Sequence, residues 1–290
     1  MKKYNVKDRI FDSSVFIVIG IAVILCIIPF MNIISVSLSS NSAIVSQKVT
    51  IFPIEASINT YKNILHDMSM LYSLGYSVVL TIVYTLLSMI VTILAAYPLT
   101  KKDLKGRSFF LMLIMFTMYF SGGLIPDYIL IKNLKLLNTP WSLILPGLMS
   151  VYNMIILKSF FQSLPDSLGE AAEIDGCSQW GILIKIVLPL SLPSIATLSL
   201  FYAVHRWNTF MDALFYITKP KLYPIQLKLY QIISISNQLD TSAEGGSGAN
   251  ITPEGLKAAS VMFATIPILL VYPWLQKYFV SGVMVGAVKG

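Results

Sequence analysis

The sequence predicts an all-α, polytopic membrane protein, and three observations carry that prediction. The 290 residues are 56% hydrophobic and only 12% charged, whereas about a quarter of the residues of an ordinary soluble domain are charged. Six segments are long and apolar enough to cross a hydrocarbon core, which takes roughly 20 such residues per helix. Basic residues cluster beside particular segments and thereby fix an orientation.

The first segment, 14–36, follows Lys2, Lys3, Lys7 and Arg9 and is followed by small residues, Ser35 and Ser37, in the manner of a secretory leader. Its length and the five later segments favour an uncleaved anchor. The others are 71–99, 108–130, 141–161, 194–217 and 258–276. Four of the first nine residues are basic and "KKDLKGR" at 101–107 holds four more, whereas 37–70 holds only Lys48 and Lys62. Excess Lys and Arg mark cytoplasmic loops. The amino terminus and the 101–107 loop therefore face the cytoplasm, and six crossings bring the carboxyl terminus there too. The net charge of +7 records this orientation rather than an affinity for nucleic acid.

Between the fourth and fifth segments lies "LPDSLGEAAEIDGCSQWGILIKIVLPLSLP" at 164–193, on the cytoplasmic side. Asp166, Glu170, Glu173 and Asp175 fall there within ten residues that contain no Lys or Arg. An acidic cytoplasmic loop reads as a docking surface. Ser167 with Glu170 three residues later forms a capping-box pattern, which predicts a helix from Leu168 to a glycine cap at Gly176. A second apolar piece, "WGILIKIVL", follows until Pro189 and Pro193 interrupt it. The plainer alternative stays open: Glu170 is a cap, and Glu173 and Asp175 are solvated charges. Cys26 lies inside a span and Cys177 in this loop, so no disulfide is expected.

Apart from Asp127 near an outer end and Lys158 near an inner end, the charged residues and histidines of the spans fall in the fifth: His205, Arg206 and Asp212. Such residues are costly in lipid and functional by default. His205, Asn208 and Asp212 have i, i+3 and i+7 spacing, one face of a helix, with the aromatic edges of Trp207 and Tyr216 nearby. Polar groups beside aromatic faces suit a sugar; mutual satisfaction between helices is the competing reading, and both stand at this point. In the second span Ser73, Ser77, Thr81, Thr85, Ser88 and Thr92 share a face, and close helix approach is the favoured explanation. Within the external stretch 218–257, "YPIQLKLYQIISI" predicts an amphipathic helix before a Gly/Ser-rich loop.

No G-x-x-x-x-G-K-[ST] loop occurs, "GGSGA" at 245–249 lacks the strand-to-helix setting of a nucleophile elbow, and His66 and His205 have no ligands at metal spacing. An enzyme is disfavoured. An ion-coupled secondary transporter of a polar solute is the alternative, although such folds show internal repeats and paired broken helices, and none are visible here.

Glu170-Ala171-Ala172, then Gly176, Ile186 and Leu188-Pro189, resemble the EAA loop of permease subunits of binding-protein-dependent ABC importers. "RWNTFMDALFYI" at 206–217 and "YFVSGVMVGAVKG" at 278–290 are similar to the carbohydrate-uptake branch, and "YPIQLKLYQII" and "YPWLQKYF" to permeases of the LplC type. The resemblance implies a type I importer fold: 1–70 as amino-terminal segment, first helix and external loop; 71–276 as the transmembrane domain, with the EAA loop at 166–189; 277–290 as a cytoplasmic tail. It implies coupling through Glu170, Ala171, Ala172, Asp175, Gly176, Ile186, Leu188 and Pro189 to the ATPase. A solute path is expected past His205, Arg206, Trp207, Asn208, Asp212 and Tyr216. Expected partners are a second homologous permease, two cytoplasmic ATPase subunits that hold ATP and Mg, an extracytoplasmic solute-binding protein, a carbohydrate and membrane lipids. This chain is expected to bind no cofactor and to sit in a bacterial plasma membrane.

Overall fold

The computed structural model describes residues 6–241 and 252–287, and within them every regular element is helical. In chain order these are α1 (Val6–Ser37), α2 (Asn41–Val45), α3 (Asn59–His66), α4 (Met68–Ala96), α5 (Arg107–Tyr119), α6 (Leu124–Asn133), α7 (Trp141–Ile144), α8 (Val151–Ser163), α9 (Asp166–Ile174), α10 (Gln179–Ile182), α11 (Leu188–Leu190), α12 (Leu192–Asn208), α13 (Met211–Tyr216), α14 (Ile225–Thr241) and α15 (Pro253–Ala287). The "GGSGA" stretch and the last three residues lie outside the described residues.

Uninterrupted apolar runs give uninterrupted helices: α1, α4 and α15 each carry a stretch long and apolar enough to cross a membrane. The third, fourth and fifth apolar segments are broken. Helices α5 and α6 meet at 113°, across Phe120–Gly123, where Gly123 takes a φ of +88° that side chains disfavour. The fourth segment is two helices, because Pro146 and Gly147 end α7 and the chain restarts at Ser150, whose hydroxyl accepts from the Asn153 N–H at 3.3 Å. The fifth stops at Asn208 and restarts at Met211, and ahead of it the pieces before and after Ser191 are bent by 81°. Pro189 offers no N–H to the carbonyl four residues back, and Leu183–Val187 widens into a π-helical turn.

Two compact units divide the chain: 1–70 with 229–266, and 71–228 with 267–290. In the first, the segment after α1 is tied by a side-chain amide and by hydroxyl groups. Asn32 donates to the Thr50 carbonyl at 2.7 Å, Tyr61 to Ser37 at 2.9 Å, and Ser40 and Ser42 to Glu55 at 2.6 and 3.0 Å. The Ser40 and Ser42 hydroxyls, in that order, hold the Glu55 carboxyl below its usual range.

In the second unit one apolar cluster runs from Leu80 to Leu227 and includes Tyr84, Met154, Leu157, Leu198 and Tyr202. The hydroxyl face of α4 packs into it: Ser73, Ser77, Ser88 and Thr92 are all buried. Ser77 accepts from the Ile225 N–H at 2.7 Å, and Thr92 pairs with the Tyr202 hydroxyl at 2.7 Å. The Tyr202 oxygen also takes the Ser150 N–H at 2.9 Å, so one phenol joins α4, α12 and the start of α8. Close packing, rather than a wet lining, is what these hydroxyls serve. The stretch expected to form an amphipathic helix does begin one, α14.

Candidate functional site

Helices α9 and α10 form the predicted helix, turn and helix. Their junction is set by glycine: Gly176 has φ +79°, its N–H bonds the Glu173 carbonyl at 3.0 Å, and the Cys177 N–H reaches the Ala172 carbonyl at 2.8 Å. These two bonds are a Schellman termination, which only a left-handed residue completes without strain. The start differs from expectation. Pro165 precedes the first helical residue, Asp166, and no side chain caps this end. The capping box of Ser167 and Glu170 is therefore not formed, because proline fixes the entry two residues early and places Ser167 inside the first turn. Ser178 does cap α10, accepting from the Gly181 N–H at 3.2 Å. A methyl on Gly181 would lie 2.5 Å from the Cys177 sulfur, so Gly181 and Cys177 close the turn together.

Freed of a capping role, Glu170 projects from α9 with its side chain exposed, as do Ala171 and Asp175. Ala172 is buried, and Ile186 and Leu188 pack against the apolar cluster, while Pro189 is exposed. Ile174 is 87% and Trp180 63% exposed, large apolar groups that sequence spacing did not single out. Glu170, Glu173 and Trp180 line an open cleft of about 800 Å³ whose wall is built by Tyr97, Phe161 and Leu183.

The acidic loop meets the basic 101–107 loop within the same unit. Lys102 pairs with Asp166 at 3.3 Å and Lys101 with Glu173 at 3.9 Å. The Lys101 ammonium also lies 5.4 Å from the Tyr97 ring centroid. Glu173 accepts from the Gln179 amide at 2.6 Å, and the Tyr97 hydroxyl donates to the Gln179 side-chain oxygen at 3.1 Å. Two of the four clustered carboxylates are thus neutralised within the chain. Among the described residues, Glu170 and Asp175 have no ion pair.

The six residues expected along a solute path divide. Helix α12 ends at Asn208, so Asp212 does not continue the face of His205 and Asn208. Instead the chain folds back at Thr209 and Phe210 and brings Asp212 onto Arg206, whose side chain is 4% exposed. The guanidinium donates to both Asp212 oxygens, one at 3.0 Å, and to the carbonyls of Leu143 and Thr209, each at 2.9 Å. Both carbonyls stand where a helix breaks and lack an intrahelical donor. Arg206 also sits 5.8 Å from the Tyr84 ring centroid. Tyr216 is buried and stacks with Tyr128 at 6.3 Å, and Trp207 is buried too. His205 and Asn208 alone of the six present exposed side chains. At the same end, Asn138 accepts from the Thr218 N–H at 2.6 Å and the Lys219 N–H at 3.2 Å, joining the loop before α7 to that after α13.

A family model described as "Binding-protein-dependent transport system inner membrane component" matches residues 106–285. The chain is similar to the polygalacturonan/rhamnogalacturonan transport system permease protein YtcP of Bacillus subtilis (strain 168), with 44% identity over 98% of this chain and 100% of that one. Protein LplC of the same organism is 42% identical over 99% of this chain and 98% of its own length. Among solved structures, a chain from the crystal structure of a bacterial ABC transporter involved in the import of the acidic polysaccharide alginate superposes with a TM-score of 0.87. That chain has 29% identity and covers 96% of this one and 100% of itself.

Proposed function

Because the chain belongs to the family of binding-protein-dependent transport system inner membrane components, we propose that it is the permease subunit of an ABC importer for an oligosaccharide or related carbohydrate. The observation that carries this reading is the α9–turn–α10 segment. It is built on a glycine cap, held to the end of α4, and leaves Glu170 and Asp175 unpaired beside exposed Ile174 and Trp180. A carboxylate with no partner in its own chain is available for a charge-assisted hydrogen bond to a basic group on another. An ATPase subunit is the partner that this fold needs, since motion driven by ATP must enter the membrane helices through a rigid contact.

The partners in this reading are two cytoplasmic ATPase subunits that hold ATP and Mg, a second homologous permease, and an extracytoplasmic binding protein. The chain itself is a non-catalytic membrane subunit without a cofactor, and both termini face the cytoplasm. The relatives that carry polygalacturonan, rhamnogalacturonan or alginate in their descriptions support an oligosaccharide as the solute. Along the path His205 and Asn208 touch the solute, and Arg206, Trp207, Asp212 and Tyr216 shape the wall behind them. The rival, an ion-coupled carrier, needs a titratable membrane carboxylate free to bind and release an ion; Asp212 is committed to Arg206.

The first experiment is to tag the chain, extract it gently from its native membrane and identify the polypeptides that accompany it. An ATPase and a second permease are expected, and together they should drive ATP-dependent oligosaccharide uptake in vesicles. Glu170→Lys should leave the chain in the membrane and abolish uptake. Recovery of the chain alone after cross-linking would overturn the reading.

A further inference from the structure

We propose that Tyr97, Gln179 and Glu173 are positioning residues that carry the motion of the coupling helices into membrane helix α4. This rests on the permease reading above. Tyr97 is the first residue beyond α4, 9% exposed, with its ring edge against Phe161 of α8 at 6.4 Å. Its hydroxyl reaches Gln179, the first residue of α10, at the side-chain oxygen (3.1 Å) and the backbone carbonyl (3.3 Å). The Gln179 amide nitrogen then donates to Glu173 in the last turn of α9 at 2.6 Å. One chain of hydrogen bonds therefore joins both coupling helices to the end of α4, and the Tyr97 ring carries the contact on to α8.

An amide is the side chain that this position requires. Its oxygen accepts from a phenol and its nitrogen donates to a carboxylate, and the two neighbours of opposite polarity fix which way it points. The backbone between α9 and α10 is a single tight turn, so a push on the exposed face of α9 moves Glu173 with it. The hydrogen-bond chain is a direct side-chain route from there to the end of α4. Contiguous networks of this kind are the physical means by which coupling travels, provided that coupling is demonstrated. Lys101 lies 3.9 Å from the same Glu173 oxygen, but this pair is exposed and adds little. In this proposal the three residues act through the coupling helices and are given no direct role toward ATP or solute.

The test uses the complex co-purified on the tagged chain, reconstituted in vesicles, with ATP hydrolysis and solute uptake measured in the same preparation. Gln179→Glu sets two carboxylates against each other, and Tyr97→Phe removes the hydroxyl while keeping the ring. The ATP consumed per solute imported should rise about fivefold or more in each, a coupling loss of ordinary allosteric size. The exchange Glu173→Gln with Gln179→Glu restores a donor opposite an acceptor and should bring the ratio back towards wild type. A merely structural role would lower uptake and hydrolysis together and leave the ratio unmoved. An assembled complex with the wild-type ratio in all variants, or a swap that fails to rescue, overturns the relay alone. A wild-type chain that purifies without an ATPase overturns the relay and the permease reading together.

Discussion

At the α9–α10 end of the second unit, Lys101, Lys102, Asp166 and Glu173 pair across 3.3 to 3.9 Å with side chains 40% to 80% exposed. Where α12 breaks, Arg206 and Asp212 pair with side chains 4% and 22% exposed, and the arginine takes two backbone carbonyls besides. Both regions look alike in composition, each a patch of charge in an apolar chain. Their physics is opposite. The buried pair has given up most of its water and finds its partners within the fold, so its work is to hold two chain breaks together. The exposed pairs keep most of their hydration, cost little to separate, and leave Glu170 and Asp175 over. Charge spent internally builds a scaffold; charge left over stays available to a partner.

The strongest way to break this contrast is Asp212→Ala. Removing one member of a buried pair strands the other, typically at a cost of about 3–5 kcal/mol. The yield of folded protein and the thermal unfolding temperature in detergent should both fall steeply. Replacing Arg206 and Asp212 together by leucine should recover part of the loss. Equal damage from single and double variants would mean that the carbonyl contacts, and not the ion pair, hold the break. Tyr202→Phe comes next: it leaves the Ser150 N–H and the Thr92 hydroxyl without their partner, at about 1–3 kcal/mol. Thermal unfolding should show a clear but smaller shift, and no change would remove Tyr202 from the scaffold.

How much of this the sequence discloses depends on distance along the chain. The long helices α1 and α4 follow from apolar runs, and the Gly176 turn from a glycine after a short amphipathic stretch; both signals are local. The breaks inside the third and fourth apolar segments carry local signals as well, Gly122-Gly123 and Pro146-Gly147, but averaging hydropathy over a span hides them. Arg206 and Asp212, six apart, match no helical spacing and become neighbours only because the chain turns at Thr209. Tyr97 and Gln179 are separated by 82 residues, and no periodicity links them. The missed cap is a matter of competition: Ser167 has the right partner, but Pro165 starts the helix first.

Lys102→Ala tests the weak side of the comparison. The pair with Asp166 is mostly solvated, and such pairs contribute about 0–1 kcal/mol, so unfolding should scarcely shift and should become less sensitive to salt. A loss as large as that for Tyr202→Phe would mean that the α9–α10 end is a scaffold too, and the contrast would fail.

The smallest effect belongs to Glu55, a charge that is fully exposed and yet tied down. Its carboxyl is held below its ordinary value of 4.5 by hydrogen bonds from Ser40 and then Ser42. A carboxyl whose folded value is depressed stabilises the fold fully above its unfolded value, and that contribution disappears as pH falls through the folded value. Wild type should therefore be slightly more stable than Glu55→Gln near neutral pH, with the two unfolding temperatures converging as the pH drops below 4.5. A difference that persists unchanged in acid would show that the geometry of the serine contacts matters and the charge does not. Glu55 would then side with Arg206 and Asp212 as scaffold, and exposure alone would no longer separate the two kinds of charge.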